Sequence, residues 1–487
     1  MIGLSALGER SAGILSDQDL ELVHAASLDV LNYVGMVFED ERSVRLLVAN
    51  GAAAKEDRVL LPPAMVERAI ALCPSRFPLF ARDPALNVQL GLGRLYFTSG
   101  YGATFVLDLD TDQLRPARLE DVRQGALLAD ALDMVHYCLL PVIPQDVNCE
   151  LGELAGAALL LATTTKHVGP SLSTVRYYPT LIELARMVAP LDGALPISLG
   201  CTTSSPLKLS RDSIARMRLC AERRIPFRVV SAPMSGATAP ATLAGTLVQQ
   251  NAEILGSLTL GQLMNPGTPL IYGTFASAAD MRTGKIVLGG PELALLNAAS
   301  AQLCRRYEIP LAYGTGGTSD SPAADQQAGA ERMLTALYAA TAGVEVIHDA
   351  VGGLLGSAMC FSPAQMVMDN EFCQMIGRTL AGIEVSTDTL ALDVIAGVGP
   401  GGNYLAESHT VKHYRREHFL PKLMNRGNIS DWYESDVTST RAASTMEGRA
   451  RERARSILQT HKPDRVDEVT RRHMEAILAA VGVQISL

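Results

Sequence analysis

The sequence predicts an α/β protein built on an eight-fold β/α barrel of the TIM type, with helical extensions at both ends. Short apolar runs recur at intervals of roughly 30 to 40 residues, and amphipathic stretches with helical spacing lie between them. Seven runs are clear, and an eighth strand is expected within residues 95–110 or shortly before residue 137. A doubly wound sheet is the alternative, because strand order is not evident from one sequence. The seven runs are YCLLPVI, HVGPSLS, PISLGC, PFRVVSA, PLIYGTF, PLAYGTG and VEVIHD.

The N-terminal segment, residues 1–94, is predicted to be a helical extension. Ser16 and Asp17 can cap a first helix that has apolar residues at helical spacing, and LPPAMVERAIALCP has proline in the first turn of a later one. From residue 95 the stretch LYFTSGYGATFVLDLD is rich in aromatic and β-branched residues, which favour strands. The barrel is therefore expected to begin at residue 95.

The C-terminal segment, residues 385–487, is predicted to be helical again. It contains DTLALDVIAGVGPGGNYLAE and two charged stretches, STMEGRARERARSIL and RVDEVTRRHMEAILAAVG. Their mixed Arg and Glu spacing is typical of solvated or packing helices. We thus expect the barrel to occupy residues 95–384, with its functional mouth formed by the loops.

Composition limits the classes of partner. Hydrophobic residues make up 48% of the 487 residues, charged residues make up 19%, and the net charge is −9. An acidic protein without an interleaved basic and aromatic patch is a poor nucleic-acid binder. The N-terminus has no signal-peptide pattern, and no apolar stretch is long enough to span a bilayer. We expect a soluble cytoplasmic protein, a homo-oligomer, with no nucleic-acid or membrane partner.

The cysteines do not suggest a metal centre. The eight of them are widely separated, with no CxxC pair and no matching histidine spacing. We interpret them as reduced, mostly buried thiols and predict no metal site. They are Cys73, Cys138, Cys149, Cys201, Cys220, Cys304, Cys360 and Cys373.

Candidate functional residues are those at the predicted strand ends, because barrel enzymes place their sites at the C-terminal face. VEVIHD ends with His348 and Asp349, a histidine that can act as an acid, a base or a ligand beside a carboxylate. Alternation along the strand is expected to send the two side chains to opposite sides. His348 is accordingly a predicted catalytic residue, and Asp349 a predicted binding residue.

Aromatic residues are scarce, at 5% of the chain, yet several lie near predicted strand ends. Aromatic faces attract quaternary ammonium groups through the ring quadrupole. Each of these rings alone is more simply explained by core packing, whereas several rings at one mouth would form a cation cage. The predicted binding aromatics are Tyr96, Tyr101, Phe275, Tyr313 and Phe361.

The stretch GTGGTSDSPAADQQAGAE, residues 314–331, is glycine-rich and opens a helix. A phosphate loop would end in Gly-Lys-Ser/Thr, but here Ser319, Asp320 and Ser321 occupy that place, and an aspartate repels phosphate. In a barrel this stretch follows a strand and leads into a helix. We therefore predict that it belongs to the barrel mouth.

At nearly its full length the chain resembles the trimethylamine methyltransferase family. The resemblance is carried by five separated segments in the family's order, which together are far more specific than one motif. They are ANGAAAKEDRVLLPPAMVERAIALCPSRFPLFARDP, DMRTGKIVLGGPELAL, SDSPAADQQAGAE, EVIHDAVG and MVMDNEFCQMIGRTLAGIEV.

The resemblance implies a barrel whose mouth meets a separate corrinoid-binding protein. It implies that the methyl group of a methylated amine passes to Co(I) of a cobalamin held by that partner, with no cofactor bound tightly by this chain. The chain has only the twenty standard residues, so it resembles the branch without pyrrolysine, which includes glycine betaine methyltransferases. Within the mouth loop we predict that Asp320, as a second catalytic residue, and Gln327, as a binding residue, line the site.

The predicted reaction suits a quaternary amine, which is already an activated leaving group. Two alternatives stay open at this stage: a non-catalytic betaine-binding sensor on the same barrel, and a lyase or aldolase barrel without a corrinoid partner. A Schiff-base aldolase needs a lysine at a strand end. Lys166 precedes its predicted strand and Lys285 lies in a predicted loop, which makes the aldolase a weaker interpretation.

Overall fold

The computed structural model describes residues 4–5, 13–191, 193–430 and 444–487. For residues 4, 5, 149 and 311–313 it describes the backbone and not the side chains.

Three α-helices lie in the N-terminal segment: α1 (Asp17–Asp29), α2 (Glu41–Ala49) and α3 (Pro63–Leu72). Ser16 caps α1 as predicted, because its hydroxyl accepts from the amide of Asp19 while the Asp19 carboxylate accepts from the amide of Ser16. A short π-helical turn, Val30–Val34, continues α1. Helices α1 and α3 pack against the longest barrel helix, so this segment covers one flank of the barrel.

Eight parallel strands form the central sheet, and we label them β1 to β8 in chain order. Each pairs with its sequence neighbours, and β8 pairs with β1. A parallel bridge between Val168 and Ile197 links the two remaining edges, so the sheet closes. The eight-fold barrel prediction is confirmed, and the doubly wound alternative is wrong. The strands are β1 (Arg94–Ser99), β2 (Tyr137–Cys138), β3 (His167–Val168), β4 (Leu199–Thr202), β5 (Phe227–Ser231), β6 (Leu270–Thr274), β7 (Leu311–Thr315) and β8 (Val346–Val351).

A helix follows every barrel strand. Two of these helices begin at residues that favour a helix start. The Thr242 hydroxyl caps the helix Leu243–Met264 by accepting from the amide of Gly245, and Pro291 is the first residue of the next helix. The helices are α4 (Leu119–Ala131), α5 (Cys149–Thr163), α6 (Tyr178–Met187), α7 (Arg211–Arg223), α8 (Leu243–Met264), α9 (Pro291–Tyr307), α10 (Gln326–Thr341) and α11 (Pro363–Leu380).

Short strands also occur outside the barrel, in the N-terminal segment and in the loops between barrel strands and helices. Most of them pair locally as hairpins or two-stranded ribbons, and Leu4–Ser5 runs antiparallel to β1. Two 3-10 turns, Pro84–Leu86 and Val175–Tyr177, complete the loops. The short strands are Val37–Phe38, Ala53–Lys55, Arg58–Leu60, Phe77–Leu79, Val88–Leu90, Phe105–Leu107, Leu114–Pro116, Lys208–Leu209, Met234–Ser235, Ser277–Asp280, Lys285–Val287, Leu354–Leu355 and Cys360–Phe361.

An apolar cluster fills the N-terminal end of the barrel. The hairpin of Phe77–Leu79 and Val88–Leu90 contributes three buried side chains, which pack against inward-facing side chains of four barrel strands or their immediate continuations. This hairpin was not expected from the sequence, which predicted only helices there. The cluster consists of Leu79, Val88, Leu90, Tyr96, Tyr137, Leu139, Ile271 and Val346.

The C-terminal segment is helical where the structure describes it. Helix α15 packs against α11 and α4, whereas α16 packs against α5 and α6, so both helices add an outer layer to the barrel. Among the described residues, no helix is both long enough and apolar enough to cross a bilayer. The helices are α12 (Thr387–Leu390), α13 (Leu392–Val398), α14 (Ser408–Glu417), α15 (Met446–Thr460) and α16 (Glu468–Ala480).

Candidate active site at the barrel mouth

A cavity of about 470 Å³ opens at the C-terminal ends of the barrel strands. Its volume lies in the range of small-molecule pockets, about 300–1,000 Å³. Residues from β4, β5 and β8, from the N-terminal part of the helix after β4, and from the segments that follow β1, β3, β5 and β6 form its wall. They are Tyr101, Gly169, Ser171, Gly200, Cys201, Thr202, Ser210, Ser213, Arg216, Arg228, Val230, Ala232, Phe275 and His348.

Arg228 on β5 is the most deeply buried cation of this wall, with 4% of its surface exposed. Its Nη1 donates to the Ser198 hydroxyl at 2.9 Å and also contacts the Tyr137 hydroxyl. Gly200 lies opposite on β4, and a Cβ atom there would lie 3.1 Å from the Cβ of Arg228. Glycine at this position therefore leaves room for the arginine side chain inside the barrel.

His167 fixes the hydrogen-bond network that supports Arg228. Its Nδ1 lies 2.5 Å from the carbonyl oxygen of Phe80, which can only accept, so Nδ1 carries the proton. Its Nε2 therefore accepts from the Ser198 hydroxyl at 2.9 Å. Burial lowers the pKa of His167 to about 4, so the ring is neutral at pH 7. The Ser198 oxygen is left as the acceptor for Arg228 and for Tyr137, whose hydroxyl is 2.8 Å away.

Arg216 on α7 brings a second guanidinium to the same half of the cavity. It donates to the carbonyl oxygens of Asp212 and Leu172 at 3.3 and 3.4 Å, and to the Ser213 hydroxyl at 3.4 Å. Within the part of the chain that the structure describes, it forms no ion pair with a carboxylate. Two guanidinium groups therefore line the half of the wall built from β4, β5 and α7, and the lining residues include no carboxylate.

Tyr101, Phe275 and His348 come from the other half of the barrel. Tyr101 follows β1, Phe275 follows β6, and His348 lies within β8. Burial raises the pKa of the Tyr101 hydroxyl to about 12, so its ring keeps a neutral phenol at physiological pH. This half thus offers two aromatic side chains and an imidazole.

The backbone of β8 brings His348 and Asp349 together. Val346 packs in the barrel interior and Ile347 in the outer core, so alternation directs His348 inward, as the cavity lining shows. Asp349 then departs from the strand pattern with φ +66°, and its Oδ2 lies 2.7 Å from Nδ1 of His348. The prediction that their side chains point to opposite sides is wrong, because the left-handed backbone at Asp349 interrupts the alternation.

Asp349 also ties β8 to β1. Its amide donates to the Thr98 hydroxyl at 3.0 Å, and its Oδ1 accepts from the amide of Tyr101 at 3.0 Å. The same carboxylate therefore contacts His348 and fixes the backbone that carries Tyr101.

Tyr96 and Phe361 lie away from the cavity wall. Tyr96 belongs to the apolar cluster at the opposite end of the barrel, where its hydroxyl accepts from the amide of Gln89 at 3.0 Å. Phe361 is buried in the outer core, on a short strand that pairs with Leu354–Leu355. The side chain of Tyr313 lies outside the described residues.

Asp320 and Gln327 also lie outside the cavity lining. The Asp320 carboxylate accepts from the amides of Leu288 and Gly289, both at 3.0 Å, and from the Ser357 hydroxyl at 2.7 Å. It joins the loops after β6, β7 and β8, which is a structural task. Gln327 is exposed on α10, where its side chain donates to Glu331 at 2.8 Å.

Seven of the eight cysteines are free thiols, and Cys149 is not among the described side chains. Cys201 alone of these seven is part of the cavity lining, and burial raises its pKa to about 11. It is therefore a thiol, not a thiolate, at neutral pH. Among the described residues, no group of three His, Cys, Asp or Glu side chains is arranged to hold a metal ion.

Lys166, the lysine considered for an aldolase, points away from the cavity. Its Nζ donates to the carbonyl oxygens of Ala129 and Leu132 at 2.7 and 2.9 Å. No lysine occurs in the cavity lining described above. The Schiff-base alternative therefore gains no support from the geometry.

A family model for trimethylamine methyltransferases matches residues 8–481. The chain belongs to this family. Membership confirms the resemblance found in the sequence, and with it the enzyme class, a methyltransferase.

Relatives within the family differ in the substrate they are named for. A trimethylamine methyltransferase of Desulfitobacterium hafniense (strain DSM 10664 / DCB-2) is 34% identical over 459 residues, covering 93% of this chain and 90% of the relative. A glycine betaine methyltransferase of Desulfitobacterium hafniense (strain Y51) is 32% identical over 478 residues, covering 97% of this chain and 98% of the relative. Identities this close to each other do not assign a substrate.

The fold also has a counterpart of known structure. The crystal structure of the monomethylamine methyltransferase of Methanosarcina barkeri superimposes with a TM-score of 0.51. The match covers 92% of this chain and 88% of that protein, at 13% sequence identity. At this identity the similarity concerns the fold alone.

Proposed function

We propose that this family member transfers a methyl group from a quaternary amine, of the glycine betaine type, to the Co(I) of a corrinoid held by a partner protein. The observation that carries the proposal is the half of the cavity with Tyr101, Phe275 and the His348–Asp349 pair. Aromatic faces and a nearby carboxylate are what a permanent cation needs in place of water. The glycine betaine methyltransferase among the relatives shows that the family includes an enzyme named for this substrate class.

The chemistry required of this chain is modest. The partner's corrinoid is the methyl acceptor, and its reduced cobalt supplies the nucleophile. The bond between nitrogen and the methyl carbon breaks, the methyl carbon bonds to cobalt, and the bonding electron pair stays on nitrogen. A quaternary nitrogen leaves as a neutral tertiary amine, so the chain need not deliver a proton.

The residues of the cavity would therefore act by binding and orientation. Tyr101 and Phe275 would hold the ammonium group, with one methyl directed toward the opening of the barrel. The carboxylate of Asp349, held next to His348, would balance the positive charge before transfer. A cavity of about 470 Å³ suits a small amine, so the corrinoid would approach from the opening.

The test is a methyl-transfer assay with the full-length chain and a reduced corrinoid protein. Glycine betaine, tetramethylammonium and trimethylamine are supplied separately, and the corrinoid spectrum reports methylation. We expect transfer from glycine betaine. Transfer from trimethylamine alone would overturn the substrate class, and binding of betaine without transfer to any corrinoid protein would favour the sensor over the enzyme.

A further inference from the structure

The two cavity arginines define a second half-site. Arg216 and Arg228 both line the wall, and their neighbours there include the hydroxyl-bearing residues Ser171, Ser210 and Ser213. The Ser210 hydroxyl donates to Ser213 and the Ser213 hydroxyl to the carbonyl oxygen of Thr202, so the guanidinium groups are the donors that face a ligand. Because these donors are positively charged, this part of the wall favours binding of a carboxylate and disfavours binding of a cation that has no anionic group.

Arg228 is fixed in place before any ligand arrives. The Ser198 hydroxyl and the Tyr137 hydroxyl hold its Nη1, and the neutral His167 orients the serine. Gly169 contributes by lacking a side chain, because a Cβ atom there would clash with the Tyr137 hydroxyl. A pre-positioned guanidinium loses little side-chain entropy when it binds an anion.

The strand order places Tyr101 and His348 across the barrel from β5 and β4, whereas Phe275 follows β6, which is the neighbour of β5. In a closed barrel of eight strands, β5 lies opposite β1 and β4 lies opposite β8. Arg228 on β5 therefore faces the side that carries Tyr101, and Gly200–Thr202 of β4 face the side that carries His348. The Tyr101 hydroxyl also hydrogen-bonds to Ser171 and lies close enough to Arg216 to interact with it, so aromatic and cationic groups line one small cavity.

We infer that the cavity selects zwitterions, with the anionic group of the substrate bound by Arg216 and Arg228 and its ammonium group held by Tyr101 and Phe275. This inference rests on the proposed function and narrows it. Substrates are quaternary amines that carry a carboxylate or a similar anion close to the nitrogen. Tetramethylammonium and choline, which carry no anion, are rejected because the arginines repel a lone cation and are left without an anionic partner from the ligand.

Arg216 is the residue for the test, because it lies on a helix and its hydrogen bonds are long. Calorimetry measures the dissociation constants of glycine betaine, tetramethylammonium and 3,3-dimethylbutanoate, a betaine isostere that keeps the carboxylate and has no charge on its branched end. The variants are Arg216→Gln and, as matched control, Arg223→Gln, which removes a charge from the last turn of the same helix. Thermal unfolding verifies that each variant is folded.

We expect Arg216→Gln to raise the dissociation constants of glycine betaine and 3,3-dimethylbutanoate at least tenfold. Arg223→Gln should leave both dissociation constants unchanged. Tetramethylammonium should bind the wild type more weakly than glycine betaine and should not be weakened further by Arg216→Gln. The inference is overturned if tetramethylammonium binds the wild type as tightly as betaine, or if Arg216→Gln affects none of the three ligands or all three equally.

The isostere separates this inference from the proposed function. It has no methyl group on nitrogen and cannot be a methyl donor, so its binding reports only the anion site. Arg216-dependent binding of the isostere upholds the anion site even if no amine is demethylated. Equal demethylation of betaine by the wild type and Arg216→Gln upholds the methyltransferase proposal and removes the selectivity assigned to Arg216.

Discussion

Nδ1 of His348 lies 2.7 Å from Oδ2 of Asp349, although the two residues are neighbours on one strand. Side chains of adjacent strand residues normally point apart, and the left-handed φ of +66° at Asp349 brings them together. Non-glycine residues rarely adopt this conformation, and Asp and Asn tolerate it best. The contact places a carboxylate next to the proposed ammonium site.

Asp349→Asn should weaken quaternary-amine binding while the fold is kept. Asparagine tolerates the backbone conformation but removes a charge whose attraction for a nearby cation is about 1–3 kcal/mol at an effective dielectric near 20. The measurement is the dissociation constant of glycine betaine, which should rise about fivefold to a hundredfold. Asp57→Asn, at an exposed turn, is the control. Unchanged binding in Asp349→Asn would remove the carboxylate from the proposed site.

Tyr101→Leu should weaken binding of the cation while the protein stays folded. A cation–π contact contributes about 0.5–2 kcal/mol, so the dissociation constant of glycine betaine should rise about 2- to 30-fold. Tyr33→Leu is the matched control, because Tyr33 is 72% exposed and is not part of the cavity lining. The idea that Tyr101 holds the ammonium group fails if both variants bind betaine equally well.

The free energy of unfolding should fall as the pH drops from about 6.5 toward 4, in part because of His167. Burial lowers its folded pKa from 6.5 to about 4, so in this window the unfolded chain binds the proton and the folded chain does not. The expected slope is up to about 1.4 kcal/mol per pH unit. Burial likewise lowers the pKa of His136 to about 3, which adds to the same trend.

Comparison of the wild type with His167→Gln isolates this contribution. Burial raises the pKa of Asp369 to about 6, so that carboxyl stabilises the fold toward lower pH and partly offsets the histidines. It is present in both proteins and cancels in the difference. Urea unfolding at several pH values should show a shallower slope for the variant, and identical slopes would contradict the assignment.

Removing only one charge of the buried ion pair between Arg332 and Asp369 should strongly destabilise the fold. Nη1 of Arg332 lies 3.0 Å from Oδ2 of Asp369, and both side chains are 1% exposed. Arg332→Met leaves an unpaired buried carboxylate and should lower the free energy of unfolding by about 3–5 kcal/mol. The double variant Arg332→Met/Asp369→Leu should be less destabilised than the single one. Urea unfolding tests this, and additive losses would show that the two charges are not coupled.

The barrel was predictable because its apolar runs repeat with a regular spacing. Eight such strand–helix units are the number that closes a parallel sheet into this type of barrel. The same rule predicted that strand ends carry the site, and Tyr101, Phe275 and His348 do line the cavity. Tyr96 shows where this reasoning stops. It points into the barrel as well, but at the end that the Phe77–Leu79 hairpin covers, and only the packing of that hairpin decides which end is closed.

The arginines were missed for a different physical reason. Arg228 stands within PFRVVSA, and a single charge in an apolar strand indicates an interior polar group, which could have been noticed as a signal. Arg216 lies in DSIARMRLCAERR, where four arginines at helical spacing all suggest solvent. Arg216 and Arg223 are seven residues apart and so lie on one face of α7, but Arg216 is near the helix start, at the cavity, whereas Arg223 is in the last turn.

The hairpin that closes the N-terminal end of the barrel has a kinetic consequence for the proposed reaction. With that end filled by packed side chains, the amine, the methyl acceptor and the product all use the opening above Tyr101 and Phe275. The amine must then enter before the corrinoid protein docks, and the demethylated product can leave only after it departs. Turnover would follow a compulsory order, and a large excess of corrinoid protein would slow the steady-state rate by covering the entrance.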